Sequence, residues 1–534
     1  MSLNSSRATR GMVVAPHALA AQSGLAVLRE GGNALEAMIA AAATISVVYP
    51  HMNGIGGDSF WVVFEPGRGV MTIDACGRSA AAARRDLYAE QRLAAIPHRG
   101  PLAANTVAGT VSGWGLAHEI SRTVWGGRLP LARLLADALA YARDGCAVTA
   151  SQEAATTAKL AELAGQPGFA GRFLPGGKVP AAGTRFVQPA IAATLRQIAE
   201  RGTNDFYRGE LARSIAADLA RAGSPVALAD LEAHVAEVRP PVKLAHSLGT
   251  VYNMAPPTQG AVSLAILGIL DRLGLAAVAP DSADYVHLCV EATKQAFRRI
   301  RDRYITDPAY ITGDINAVLD PAALAPLAQA VDRARAAPWG AASQPGDTVW
   351  MGAVDNAGRA VSFIQSIYHE FGSGIVLPQT GINWQNRGAS FSLDAQALNA
   401  LEPRRKPFHT LNPALAVFSD GRVMPYGTMG GDGQPQTQCA VFTRIAVYGR
   451  GVQAAISAPR WLLGRTWGQA SDTLKLESRF APELVSELER RGHDVEVLRD
   501  YDETMGHAGA IVRHPDGLLE AGFDPRSDGA AAGW

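Results

Sequence analysis

The pattern of apolar and polar positions divides the chain into a helix-rich part followed by a strand-rich part. After Pro16 the run HALAAQSGLAVLREGG places apolar residues at helical spacing and stops at Gly31-Gly32, a C-cap signal. Asn33 then stands where it can N-cap a second helix, ALEAMIAAAATISVV. That segment is apolar on nearly every face, so it is expected to be buried. HMNGIGGDSF follows as a glycine turn leading into a strand over residues 60–64. Residues 131–231 are alanine-rich and helical in pattern, as are residues 281–303, and neither stretch carries a repeat. Residues 328–347 decline from a helix into a small, polar loop containing proline and glycine. The period then switches to two: TVWMGAVDNAGRAVSFIQSI reads as two strands around an Asp-Asn-Ala-Gly turn. The remainder is strand-rich, with one helix at about residues 482–491. Helices first and strands later predict a mixed α/β or α+β chain, divided near residue 347.

Composition narrows the function classes. Hydrophobic residues make up 48% of the 534 and charged residues 18%, which suits a large, well-buried enzyme. Lysine plus arginine equals aspartate plus glutamate, 49 against 49, so no global field draws in nucleic acid or an anionic membrane. Cys76, Cys146, Cys289 and Cys439 are scattered without a CxxC pair, and read as buried thiols rather than a disulfide framework or a zinc site. No apolar segment follows the N-terminal arginines, and the longest apolar runs are too short to span a bilayer, so a cytoplasmic location is expected. GIGGDS is neither a dinucleotide fingerprint nor a phosphate loop, because a strand follows it where a helix is required. HExxH, GxSxG and EF-hand patterns are lacking, and neither a cofactor nor a metal is expected.

The chemistry that remains lies at the period switch. A loop ending in Asp347-Thr348 and running straight into a strand has the form of an N-terminal nucleophile that the chain frees by cutting itself. A threonine hydroxyl alone is a weak nucleophile, but the α-amine exposed by the cut can act as its base. That amine has a reference pKa of about 7.7–8.0, so part of it is neutral at physiological pH. If Asn356 to Gly358 form the hairpin turn, Thr348 faces Ser366 to within one residue of register, close enough for their hydroxyls to interact. By itself, a threonine opening a strand is an ordinary β-branched strand residue.

From Thr348 onward the chain resembles the small subunit of the gamma-glutamyltranspeptidase family, and the similarity extends through almost all of it. REGGNALEAMIAAAATISVVYPHMNGIGGDSF, NTVAGTVSGW and MAPPTQG resemble blocks before the cut. FGSGIVLPQTGI, YGTMGGDGQPQTQ and DPRSDGAAAGW resemble blocks after it. The resemblance implies an Ntn-hydrolase fold, a four-layer αββα sandwich formed jointly by two subunits of one precursor. It implies a large subunit (1–347) and a small subunit (348–534) that stay intertwined after cleavage between Asp347 and Thr348, and it leaves a homodimer of such heterodimers open. It further implies attack by Thr348 on a small-molecule amide, support from Ser366, and an oxyanion hole built from the backbone amides of Gly430 and Gly431.

The departures concern the substrate. Where glutathione-active members grip the glutamate amino group, this chain has Tyr368, Arg387 and Ser390, and a cation at Arg387 should repel an ammonium. The paired serines that bind the α-carboxylate are here His409 and Thr410. The carboxylate-binding arginine falls near Cys76, with Arg78 two residues on. Arg387 is the first candidate to bind a substrate carboxylate, Arg78 the second, and His409 a polar lining residue. For Arg387 the alternative is a surface or subunit-bridging ion pair. The segment between Phe391 and His409 is too short for a long lid, which implies an open site unless another segment covers it. WQNRGASFSLD and PFHTLNPAL are most similar to the family's amidohydrolase branch, so a small carboxylate-bearing amide such as oxamate is expected. A gamma-glutamyl hydrolase or transpeptidase, a glutaryl-type acylase, and an unprocessed binding scaffold are the alternatives.

Overall fold

A computed structural model describes residues 4–340, 346–465 and 471–534; part of the loop expected before Thr348, residues 341–345, lies outside them. Two seven-stranded antiparallel sheets form the centre. The first runs edge to edge through Ala530–Gly533, Met12–Ala15, Asp347–Val354, Ala360–Tyr368, Asp58–Glu65, Gly69–Ala75 and Glu237–Arg239. The second runs through Ser6–Ala8, Leu519–Phe523, Ala508–Arg513, Val423–Thr428, Ala414–Phe418, Gly249–Asn253 and Val242–His246. Each sheet mixes strands from before and after Thr348. The division near residue 347 is therefore one of sequence, not of space.

Three apolar layers hold the sheets and helices together. Between the sheets lie Met12, Val14, Phe60, Val62, Trp350, Ile364, Leu415 and Ile511. On the outer face of the first sheet, the helices Ala18–Arg29, Ala34–Val48 and Thr110–Val124 bury a second core. On the outer face of the second, Gly260–Arg272, Ala283–Ala296 and Gln434–Phe442 bury a third. This is the four-layer αββα sandwich that the resemblance implied.

The helix Ala34–Val48 is buried at every position, as its uniformly apolar sequence predicts. Its start is fixed by a capping box: the Asn33 side chain accepts from the amides of Leu35 and Glu36, and Glu36 accepts from the Asn33 amide. Helix Gln434–Phe442 was missed in the sequence because Gln434, Gln436 and Gln438 sit inside it and spoil an apolar stripe. Their side chains are buried and hydrogen-bond backbone carbonyls or Thr348, so they belong to the interior after all. Among the described residues no helix is long and apolar enough to cross a membrane.

One packing detail anchors the strand that carries Thr348. Gly427 and Gly509 face each other across the second sheet, and the Trp350 indole lies against both. A Cβ on Gly427 would stand 2.2 Å from Trp350 Cδ1, and one on Gly509 would stand 2.4 Å from its Cζ3. Only residues without a side chain allow the two sheets to approach here. The indole N–H is satisfied by the Ser362 hydroxyl at 2.9 Å.

Candidate active site

Thr348 sits near the start of the strand Asp347–Val354, fully buried. From Val349–Gln365 to Val354–Ala360 the hairpin keeps one register, the one expected. That register breaks between Asp347 and Val349, because Asp347 pairs with Tyr368. One residue, Thr348, therefore stands opposite two, Ser366 and Ile367, which is a β-bulge. The one-residue tolerance in the sequence reading falls on this bulge. On its other side Ser366 pairs directly with Asp58. Thr348, Ser366 and Asp58 thus form a row across three neighbouring strand ends, and the next strand carries the chain on to Cys76.

Ser366 Oγ accepts the Tyr368 amide at 2.8 Å and lies 3.4 Å from Arg387 Nη2. Tyr368 is held at a positive φ of 83°, an uncommon conformation for a bulky residue and one that the hydroxyl–amide bond supports. Arg387 opens a short 3-10 turn to Ser390 and is fully buried, its guanidinium 4.0 Å over the Tyr368 ring. Its Nε and Nη1 find no acceptor among the described residues. Burial pulls this guanidinium down to about 10, which still leaves it charged at neutral pH. Full burial excludes a surface ion pair, and the nearest acid acting on its charge, Asp58, comes from before the expected cut.

The second sheet delivers the opposite wall. Strand Val423–Thr428 ends in Met429-Gly430-Gly431, which turns into the helix Gln434–Phe442. Gly430 and Gly431 have φ of 116° and 52°, conformations that glycine adopts at little cost. A side chain at Gly430 would meet nothing closer than 3.7 Å, so conformation, not space, requires glycine there. Gln434 Nε2 lies 3.5 Å from Thr348 Oγ1, while Gln434 Oε1 accepts from Asn412. Gln259 Nε2 bridges the carbonyls of Thr410 and Gly431. Sequence reasoning gave Gln434, Gln259 and Asp58 no role. Each lies inside a quoted motif, but only the fold shows that these motifs converge.

The other named positions divide. His409 is fully buried, with Nε2 3.0 Å from Cys76 Sγ and 3.5 Å from Asp58 Oδ2; burial, then the positive charges of Arg387 and Lys406, keep it neutral. Thr410 is buried beside Gly346: a methyl group added to Gly346 would lie 3.2 Å from the Tyr368 ring and 3.3 Å from Thr410 Oγ1. In the uncut chain the expected open site meets its own exception, because another segment covers it. Chain immediately before Asp347 lies between Tyr368 and Thr410, and Thr348, Arg387 and His409 are all closed off from solvent. Ser390 does not point a free hydroxyl at the row, since its Oγ lies 2.9 Å from the Arg387 carbonyl and 3.1 Å from that of Phe408. Arg78 turns elsewhere, onto Asp307 at 3.3 Å and the Arg404 carbonyl, with its side chain 43% exposed. Of the two cationic candidates, only Arg387 touches the row. The four cysteines are buried and unbridged, as expected.

Among the described residues, two groups of side chains place three metal-ligand atoms within 4.8 Å, Asp58/Cys76/His409 and His287/Glu291/His493. In the second, His287 is engaged by His493 and the Asp332 carbonyl, and Glu291 by Lys294 and the Ala337 amide. In the first, the Arg387 cation acts on the same buried space and opposes a second positive charge. We assign neither as a metal centre.

The family model for gamma-glutamyltranspeptidase matches residues 20–534. The chain is 61% identical to the oxamate amidohydrolase proenzyme of Klebsiella pneumoniae subsp. pneumoniae, over 99% of this chain and 100% of that one. It is 43% identical to the glutathione hydrolase-like YwrD proenzyme of Bacillus subtilis, over 98% of each. Among solved structures, a cephalosporin acylase from Bacillus halodurans superposes with a TM-score of 0.91 at 32% identity, covering 100% of this chain and 97% of that one. Sequence, fold and the row of strand ends at Thr348 agree, and the chain belongs to the gamma-glutamyltranspeptidase family.

Proposed function

We propose that the protein is an autoprocessed amidohydrolase that cuts itself between Asp347 and Thr348 and then hydrolyses a small carboxylate-bearing amide, oxamate being the best candidate. The observation that carries this reading is Arg387, a fully buried guanidinium beside Ser366 with two nitrogens lacking acceptors. A buried charge without a counter-ion at every donor is costly, and a planar carboxylate is the group it fits. The name of the 61% identical relative supports the same substrate.

In this reading the Thr348 hydroxyl attacks the amide carbon, and the α-amine freed by the cut takes its proton. The amides of Gly430 and Gly431 receive the oxyanion, each such donor contributing about 3–4 kcal/mol at the transition state. Gln434 orients the threonine hydroxyl from the first turn of the helix that follows the facing sheet's strand. Ammonia leaves and water hydrolyses the acyl-enzyme. Before the cut, Gly346 occupies the space between Tyr368 and Thr410, so cleavage both frees the nucleophile and lets this residue leave the pocket. Buried, unbridged cysteines suit a reducing cytoplasm.

A second reading rests on Asp58. A carboxylate close to a cation is the pair an α-amino acid needs, which favours a gamma-glutamyl substrate. Against it, Asp58 Oδ1 already accepts the amides of Gly77 and Gly109, and Oδ2 faces His409. Ammonia release from oxamate, measured beside turnover of γ-glutamyl-p-nitroanilide, separates the two. Turnover of the glutamyl compound alone would reject the oxamate reading.

A further inference from the structure

Asp58 is the least expected member of the row. Its carboxyl is fully buried, Oδ1 is held by the amides of Gly77 at 2.9 Å and Gly109 at 3.0 Å, and the Gln385 side chain and the Arg387 charge also favour its ionised form. It pairs directly with Ser366, the residue whose hydroxyl lies 3.4 Å from Arg387 Nη2. The guanidinium and the carboxyl therefore flank the same serine, and each acts on the other's charge.

We propose that Asp58 is a specificity-determining residue: it is the internal counter-ion of Arg387, and a substrate carboxylate replaces it, so that binding is coupled to uptake of one proton by Asp58 Oδ2. This rests on the reading of Arg387 as the carboxylate anchor. Two carboxylates around one buried guanidinium cannot both stay ionised at low cost, because like charges in a dry pocket drive one to take a proton. Asp58 is the one that yields. Burial has already pushed its carboxyl up to about 7, even against its two amide donors and the Arg387 charge. The incoming anion raises it further.

The groups around Asp58 allow no competing explanation near neutral pH. His409 is held neutral, the Cys76 thiol is pushed up by burial and by the charges of Asp58 and Asp74, and the Tyr207 phenol is pushed up by burial. Lys406 is engaged with Asp74 at 2.7 Å, and Gln385 is uncharged. The direction follows. Below about pH 7 Asp58 is protonated and Arg387 is available. Above it, each binding event must take up a proton, and affinity falls by up to roughly tenfold per pH unit.

The test uses the processed enzyme and propionate, a carboxylate of oxamate's length with no carbonyl to attack. Its inhibition constant against oxamate turnover is measured from pH 6 to 9 for the wild type and Asp58→Asn, and its binding to Arg387→Met, which has little turnover to inhibit, is measured by calorimetry. An asparagine oxygen still accepts the Gly77 and Gly109 amides, and two fragments on a denaturing gel report that the variant folds. The Thr348 amine titrates in the same window in every variant, so the ratio of wild-type to Asp58→Asn constants isolates Asp58. That ratio should rise about tenfold or more between pH 6.5 and 8.5; a ratio flat within about twofold overturns the proposal. Should Asp58→Asn fail to fold, calorimetry of propionate binding to the wild type in two buffers at pH 8 decides: uptake of about half a proton or more supports it, and none overturns it. Arg387→Met separates the two readings. If it loses propionate binding while the pH dependence is absent, only the Asp58 inference fails. If it binds propionate as the wild type does, the carboxylate anchor itself is wrong.

Discussion

Replacing Arg387 with methionine should remove activity without removing stability, and the structure gives the size of both effects. The guanidinium contributes three interactions to the resting fold: the contact with Ser366 Oγ at 3.4 Å, the stacking over Tyr368 at 4.0 Å, and attraction to Asp58. Loss of the cation–π contact costs about 1–2 kcal/mol in a desolvated setting. Against that, Nε and Nη1 are buried without acceptors, and each unsatisfied charged N–H costs about 1–3 kcal/mol. Asp58, left without its counter-ion, limits its own cost by taking a proton. These contributions roughly cancel, so the melting temperature should stay within about 2 °C or rise. Catalysis should respond differently. A buried carboxylate–guanidinium contact is worth about 3–5 kcal/mol, so kcat/KM for oxamate should fall roughly 10²- to 10⁴-fold. Differential scanning calorimetry and an ammonia-release assay on the same preparation read the two together. A fall of several degrees in melting temperature with less than a tenfold loss of kcat/KM would show that Arg387 is structural, and the carboxylate argument would fail.

Three further outcomes follow from other parts of the molecule. Thr348→Ala should run on a denaturing gel as one 56.1 kDa chain, while the wild type gives two fragments with Thr348 at the N-terminus of the second; an alanine variant that still splits at 347 would remove Thr348 as the agent of the cut. Gly427→Ala puts a methyl group 2.2 Å from Trp350 Cδ1, so it should destabilise by about 1–3 kcal/mol or more and slow the appearance of two fragments; an unchanged melting temperature would show that the sheets part easily. His17, His51 and His507 all surround Tyr49, and burial lowers them to about 4, 3 and 4. Groups held neutral in the fold bind protons more readily when unfolded, so stability is full above about pH 6.5 and is lost progressively toward pH 4. Thermal melts between pH 7.5 and 5 should show that decline, and flat values would mean that the histidines are not held neutral.

The sequence made some of this legible for identifiable reasons. Helix Ala34–Val48 could be read because its cap, its length and its uniform apolarity agree, and the hairpin because its period of two runs unbroken on both sides of a short turn. The register slips only opposite Thr348, where the partner strand carries one extra residue, and strand periodicity carries no signal for an inserted residue. Helix Gln434–Phe442 was missed because its buried glutamines are satisfied by groups from distant segments. Asp58 was missed for a related reason. Within GIGGDSF it reads as a turn residue, and nothing local reveals that Ser366, His409 and Arg387 gather around it. Arg78 was over-weighted because counting along the chain put it near the family's arginine, whereas the fold turns its side chain onto Asp307.

The site also separates its tasks by the kind of structure that carries them. Thr348 and Ser366 lie at the ends of paired central strands, and Gly430 and Gly431 follow directly from a strand of the facing sheet. Their relative positions are set by the contact between sheets, where Trp350 lies across Gly427 and Gly509, so a substitution that alters the substrate need not disturb them. Arg387 stands on a short turn and His409 on a loop beside Thr258, outside both sheets. On the proposed reading, changes there should alter what the pocket binds while the geometry of attack persists. Asp58 is the exception, since it belongs to a strand yet faces the binding side. A carboxylate fixed on the scaffold beside a cation carried by a turn can make affinity depend on pH, because the one cannot move away when the other acquires a new partner.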